Sequence, residues 1–320
     1  MSEILSQLSE ILLTTTFFAA ALRMTTPILL VAMGSIFCER AGVMTIAYEG
    51  FMLLGAMTAV VATYFIGNPW LGALCAMLAG MLLSTVFAYF VVIIGTHQIV
   101  TAVALNIFSF GATSLIFRRI FGAMSHTPDI TGLSIWRIPV LGDIPIIGEI
   151  FFRQSPLVYL AFLFVPIAHF FMFHTKWGLN IRAVGEAPRA ADTVGLNVFC
   201  IRFTATMLSG LICGLAGAFL SIGQTTIFQE GMTAGRGYIA YTTMIFGNWK
   251  PLGTFLGTLL FGVADAIQLR IQALGLDIPY QFALMIPYVA TILAIVFAIG
   301  RDITPAAYGQ TYRREVRGID

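Results

Sequence analysis

The chain has 320 residues, of which 58% are apolar and only 10% charged, with a formal net charge of +2 and a mean hydropathy of +0.91. Soluble domains carry about a quarter charged residues, so this composition excludes an ordinary soluble domain. A balance of +2 also excludes nucleic acid as a partner that the charge is built to meet.

Repeated apolar runs of membrane length predict an all-α, polytopic membrane protein, one transmembrane domain over 1–320 in a lipid bilayer. Residues 4–22 read as a Thr-rich amphipathic helix lying at the membrane interface, broken by Glu10 and closed by Arg23. The N-terminus lacks the basic region and small-residue cleavage site of a secretory signal, so this first helix is expected to stay. Pro27 then opens a short apolar run to Phe37, followed by spans at 43–65, 70–94 and 98–117. The third span carries Gly72, Ala76, Gly80, Ser84 and Ala88 at four-residue spacing, a stripe that lets another helix backbone approach closely. Pro128, Pro139 and Pro145 interrupt 121–154, which reads as a structured external loop. Spans return at 156–174, 200–222, 236–248, 251–270 and 280–299, making about nine crossings (eight to ten) before a polar tail at 301–320. Gly210, Gly214 and Gly217, then Gly253 and Gly257, are further packing faces, with a second transmembrane subunit as one candidate partner.

The segment 236–248 is too short, at ~1.5 Å per residue, to cross a ~30 Å hydrocarbon core. It is flanked by glycines, as is the stretch from Gly42 to Gly55. Paired Gly-interrupted segments in two halves of a chain point to a transport pathway; ordinary helix ends account for them equally well.

No nucleotide, metal or nucleophile constellation is present. Neither Lys176 nor Lys250 lies in a GxxxxGK[ST] context, and HExxH and GxSxG are absent, so no catalysis, cofactor or metal is expected. His169 and His174 are badly spaced for shared ligation, and His97 and His126 stand alone. Cys38, Cys75, Cys200 and Cys213 are scattered and read as small buried hydrophobes. Glu49, Asn106, Asp265 and Gln268 fall in or near spans, where a charge costs roughly 2.5–3.5 kcal/mol. Glu49 reads equally as a pathway residue or as a helix-end contact; for the other three, helix-to-helix hydrogen bonding comes first.

The longest mixed polar segment is 176–198. Trp177 and Gly178 end the preceding span, Gly185-Glu186-Ala187-Pro188 makes a turn, and Pro188 suits the first position of a short helix over Arg189 to Val194, stopped by Gly195. Glu186 complements the dipole of that helix, and Ala190 and Ala191 form a small-faced contact surface. Docking of a soluble partner and a plain interfacial connector both fit. Clustered Lys and Arg in this loop and in the tail (Arg301, Arg313, Arg314, Arg317) place both in the cytoplasm, which leaves the N-terminus outside.

Three segments together resemble the permease subunits of bacterial ABC importers of the simple-sugar and nucleoside type. Arg189-Ala190-Ala191-Asp192-Thr193-Val194-Gly195 looks like their coupling loop, in which Ala-Ala is followed four positions later by Gly. The run Glu39 to Ala56 looks like a second signature of the family, and Gly235 to Gly253 like a third. The order and spacing of all three agree over residues ~20 to 300, most nearly with the shorter nucleoside permease subunit. Thr45, Ala47, Tyr48 and Ala187 depart from the usual residues. The resemblance implies a permease fold of the inner membrane, alternating access, and ATPase coupling through Gly185, Glu186, Pro188, Arg189, Ala190, Ala191 and Gly195. It also implies a cytoplasmic ATPase, a second permease subunit, an external binding lipoprotein and a small-molecule solute. Thr45, Tyr48, Glu49, Asn106 and Gln268 are the expected pathway residues. A simple-sugar permease and a self-sufficient secondary transporter or channel using Glu49 or Asp265 stand as alternatives.

Overall fold

The computed structural model describes residues 14–122, 124–139, 142, 144–273, 281–282, 285–287, 289–290, 292 and 304–313. The first helix, α1, runs from Thr15 to Arg40 without a break at Arg23 or Pro27. This corrects the expected interfacial helix over 4–22: its described part belongs to a span, and 4–13 lie outside the described residues. Pro27 removes one helical N–H, but the Thr25 and Thr26 hydroxyls donate to the Ala21 and Leu22 carbonyls at 2.8 Å, reinforcing the turn in front of it. Burial decides the rest, because α1 packs against the other helices over most of its length.

Helix α2 (Tyr48–Ile66) starts five residues later than the expected span, since 43–47 are not helical. Helix α3 (Pro69–Ala88) continues as a π-helical stretch, Tyr89–Ile94, and α4 covers Gln98–Phe121. The following loop holds a two-residue antiparallel pair, β1 (Trp136–Arg137) and β2 (Arg153–Gln154), with α5 (Ile147–Phe151) between them. Then come α6 (Pro156–His174), α7 (Lys176–Glu186), α8 (Pro188–Thr193), α9 (Val198–Ala218, prolonged as a π-helix to Thr225), α10 (Arg236–Phe246) and α11 (Pro251–Ala273).

Seven helices among the described residues are long and apolar enough to cross a membrane. Of the nine expected crossings, 236–248 is only the 11-residue α10, and 280–299 falls mostly outside the described residues. The polar 176–186 stretch, read from sequence as a span end and turn, is the separate helix α7, started by the Thr175 hydroxyl accepting from the Gly178 N–H at 3.1 Å.

Helix α9 is the centre: 83% of its apolar window is buried, against 17% for α4. Its glycines explain why. An added Cβ at Gly217 would strike α2 at Met52 and Ala56, and one at Gly210 or Gly214 would strike α3 at Ser84 or Ala76. The small-residue stripes of α3 and α9 therefore face each other within one chain rather than a second subunit. Gly253 and Gly257 likewise meet Gly247 and Thr243. Without a hydrophobic driving force between helices in lipid, such close backbone approach supplies the packing energy. Cys38 and Cys213 are buried as expected, whereas Cys200 is exposed at the start of α9.

The two ends of the bundle differ. At one end, the Thr15 hydroxyl donates to Glu149 at 2.5 Å, and Thr127, Ile130 and Leu133 donate backbone N–H groups to Phe228, Thr226 and Ile222. The Arg118–Glu230 ion pair at 3.1 Å lies there too, so the described residues of 122–155 form a structured loop stitched to the end of α9. At the other end meet the C-terminus of α1, the α7–α8 loop, the turn 247–250 and residues 304–313.

Candidate functional site

Two features are built around the interruption between α1 and α2. The first is a cavity of about 340 Å³ whose walls include Glu49, Gly50, Leu53, Asn106, Phe110 and Tyr238. Glu49 lies in the first turn of α2, and its carboxylate reaches the N-terminus of α10. Oε1 accepts from the Gly235 N–H and Oε2 from the Gly237 N–H, each at 2.8 Å. A carboxylate at the N-terminus of a helix satisfies otherwise orphaned N–H groups and complements the helix dipole. Gly235 has φ +82°, and a Cβ at Gly237 would lie 2.7 Å from Glu49 Cα, so this approach requires glycine at both positions.

Asn106 of α4 completes the junction. Its Oδ1 accepts from the Gly50 N–H at 2.9 Å, while Nδ2 donates to the Ile46 carbonyl at 2.9 Å and to the Tyr238 hydroxyl at 3.0 Å. One amide thus ties the non-helical 43–47 backbone, the start of α2 and the start of α10. Non-helical backbone within a bilayer persists only where protein satisfies it or water lines it, and this amide meets that demand.

Thr45 and Tyr48 do not line the cavity. Both are buried on the other side of the segment, where Glu39 Oε1 accepts from the Thr45 N–H at 3.0 Å and the Tyr48 hydroxyl at 2.7 Å. Gln268 lies apart as well, in a smaller cavity of about 160 Å³ with Arg236 and Asp265, whose Nε and Oδ2 are 3.9 Å apart. Ala234 borders both cavities. The structure brings Glu49 and Asn106 to one cavity and adds Phe110 and Tyr238 to its walls, two residues that the sequence did not single out. An aromatic residue two positions after the Arg of a Gly-Arg-Gly turn was the available signal for Tyr238.

The second feature is the opposite end. Helix α8 begins with Pro188, and Gly195 (φ +89°) ends the turn, with Leu196 donating to the Ala191 carbonyl at 3.0 Å. Arg189 and Ala190 are exposed, whereas Ala191 is buried against Val184 and Val198. The expected contact face therefore loses Ala191 and gains Val194, which is 76% exposed. Glu186 does not serve α8: its carboxylate accepts from the Ala306 N–H at 3.2 Å. The Gly185 carbonyl accepts from the Ala307 N–H at 2.9 Å, so residues 304–313 lie directly on this loop.

Arg40, buried at the end of α1, donates from Nε to the Trp249 carbonyl at 3.0 Å and from Nη2 to Asn248 at 3.3 Å. Asn248 and Trp249 both have positive φ (54° and 53°), a conformation unfavourable for Trp that these bonds hold. Replacing Arg40 with Met is expected to lower the thermal midpoint of the detergent-solubilised protein by several degrees, through about 2 kcal/mol of lost charge-assisted bonds. An unshifted midpoint would show that the turn holds itself.

Seven long apolar helices among the described residues, with a half-length helix whose N-terminus borders a cavity, define a membrane-embedded helical protein. The comparison with known proteins specifies it further. Residues 17–298 match the family described as branched-chain amino acid transport system / permease component, and the chain belongs to that family. It is a multi-pass protein of the inner membrane. It is 39% identical to the guanosine ABC transporter permease protein NupQ of Bacillus subtilis, covering 89% of this chain and 92% of that protein. It is 36% identical to the putative glucose ABC transporter permease protein TsgC13 of Haloferax volcanii (93% and 97% covered) and 34% identical to the nucleoside ABC transporter permease protein NupC of Lactococcus lactis (90% and 93%). No solved structure matches the chain significantly.

Proposed function

We propose that this chain is the permease subunit of an ATP-driven importer for a nucleoside, with the Glu49–Asn106–Tyr238 cavity on the solute's path. The observation that carries this reading is the junction itself. Two side chains from α2 and α4 hold the N-terminus of half-helix α10 beside a cavity with one aromatic hydroxyl and one phenyl ring in its wall. Polar groups for sugar hydroxyls and ring faces for a base suit a nucleoside. The similarity to two nucleoside permeases supports the same class.

The end formed by α7, α8 and residues 304–313 faces the cytoplasm in this reading, in line with its Lys176, Lys250 and Arg313. The α8 loop, with Gly185, Glu186, Pro188, Arg189, Ala190 and Gly195, receives the ATPase. The loop 122–155 faces outward, toward a solute-binding lipoprotein. A second permease covers α4, whose Val100, Ile107, Phe108 and Phe110 are all more than half exposed alongside the cavity. Closure of the ATPase pair then alternates access to the cavity, and this chain performs no covalent chemistry.

Two measurements test the reading. Uptake of labelled guanosine by cells expressing the whole transporter should be competed by other nucleosides and not by glucose; competition by glucose alone would select the sugar reading that the Haloferax relative favours. A cysteine at Ala190, exposed on α8, should crosslink to the co-expressed ATPase, and absence of any crosslink would refute the docking assignment.

A further inference from the structure

Residues 304–313 make more contacts with the rest of the chain than a polar tail requires. Their backbone bonds to two separate segments: Ala307 N–H to the Gly185 carbonyl at 2.9 Å, and Gly309 N–H to the Gly42 carbonyl at 3.1 Å. Arg202 of α9 clamps this strap to the second of these segments, donating from Nε to the Ala41 carbonyl at 3.1 Å and from Nη1 to the Gln310 carbonyl at 2.7 Å. The Tyr312 ring packs at a tilt against Phe199, with ring centroids 5.4 Å apart.

Tyr308 carries the strap inward. Its hydroxyl lies 2.9 Å from the Tyr241 hydroxyl on α10, and its ring meets Trp249 edge-on at 5.9 Å. Burial, and then the neighbouring charge of Glu39, raise the Tyr308 phenol above its ordinary range, so the hydroxyl stays protonated. One short segment therefore touches the α8 loop at one end and, through Tyr241, the helix whose N-terminus Glu49 holds at the cavity.

Between this strap and the α8 loop lies an open cleft of about 630 Å³, with Pro188, Arg189, Ala306, Gln310, Thr311 and Arg313 among its walls. One wall belongs to the loop assigned above to the ATPase, and the other belongs entirely to the strap.

We infer that residues 304–313 form the second wall of the ATPase-docking cleft and, through Tyr308 and Tyr241, link that cleft to α10. The inference rests on the proposed docking of an ATPase at α8. The occupant is a segment of that ATPase, seated between Arg189 on one side and Thr311 and Arg313 on the other. Tyr308 is a positioning residue: it touches neither solute nor nucleotide but fixes α10 to the element that the ATPase grips. The strap is backbone-bonded both to the loop, at Gly185, and to Gly42 just past α1, so a displacement of the loop draws the strap with it.

The test uses the assembled transporter with single cysteines at Ala190 and at Thr311, and separately Tyr308→Phe. Crosslinking of the ATPase through both cysteines is the expected result. Crosslinking through Ala190→Cys but never through Thr311→Cys overturns the inference while leaving the docking assignment intact; failure of both overturns the two together. Tyr308→Phe is expected to leave the Ala190→Cys crosslink unchanged while uptake falls about five-fold at unchanged ATPase turnover, the signature of a lost link worth one hydrogen bond. Full uptake in Tyr308→Phe overturns the link to α10. Restoration of uptake by Tyr308→His, which returns a polar group at the position, separates this role from loss of packing; a five-fold loss that no polar replacement relieves overturns it.

Discussion

Replacing Glu49 with Gln lowers solute uptake by at least 30-fold while the ATPase remains associated. The carboxylate accepts both the Gly235 and Gly237 N–H groups at 2.8 Å, and a Gln amide has only one acceptor oxygen to offer them. Its NH₂ would face an N–H donor, so one bond is lost and the remaining one no longer involves a charge. Hydrogen bonds to charged groups contribute roughly 1.5–3 kcal/mol, and an orphaned buried N–H adds a cost of about 1–3 kcal/mol. At 1.4 kcal/mol per factor of ten, a loss of about 2–3 kcal/mol gives the expected range. Glu49→Asp keeps the charge but shortens the reach, and should fall between Gln and the parent. Asn106→Ala removes three bonds to Gly50, Ile46 and Tyr238 at once and should resemble the Gln variant. Labelled-nucleoside uptake, with co-purification of the ATPase as the folding control, decides the matter; parental uptake in Glu49→Gln would take Glu49 off the path.

Gly214→Val should yield no folded protein. Gly214 sits where α2, α3 and α9 cross. A Cβ on Gly55 would come within 2.6 Å of the Gly214 carbonyl oxygen, and one on Gly80 within 2.9 Å of the Gly214 backbone. A side chain on Gly214 itself would run into the Ala76 carbonyl, and backbone atoms cannot rotate out of the way as a rotamer can. Ordinary overpacking costs about 1–3 kcal/mol; forcing three helix axes apart at the most buried helix exceeds that. The expected outcome is loss of the monodisperse peak in detergent size exclusion. Gly111→Ala on α4, where no atom lies within 4 Å of the added Cβ, is the matched control and should behave as the parent. A monodisperse Gly214→Val protein would show that the three-helix crossing is looser than these distances allow.

Glu49 and Asn106 stood out because a charge or an amide inside apolar sequence must find a partner. Their partners could not be read, because Gly235 and Gly237 are 186 and 188 residues away and offer only backbone N–H groups, which every residue possesses. Thr45 and Tyr48 show the converse. Their neighbours in sequence sit at the cavity, yet the Thr45 backbone N–H and the Tyr48 hydroxyl both go to Glu39, and the irregular backbone leading into α2 has no periodicity to reveal which way a group faces. Ala190 and Ala191 are adjacent and chemically identical; only the packing of Val184 and Val198 made one internal and the other exposed.

Composition and run length by themselves determined the class: a multi-span helical membrane protein with one short, Gly-flanked segment and one polar loop holding a Pro-started helix. Those features follow from free-energy costs that act locally, namely apolar length, missing N–H groups and positive φ at glycine. Tertiary structure decided the rest. It ran α1 straight through Pro27, turned the glycine stripes of α3 and α9 toward each other, and laid residues 304–313 on the α8 loop. Each of these is a contact between distant backbones, where the deciding quantity is how closely two elements can approach. That distance is a property of the pair, and no single segment encodes it.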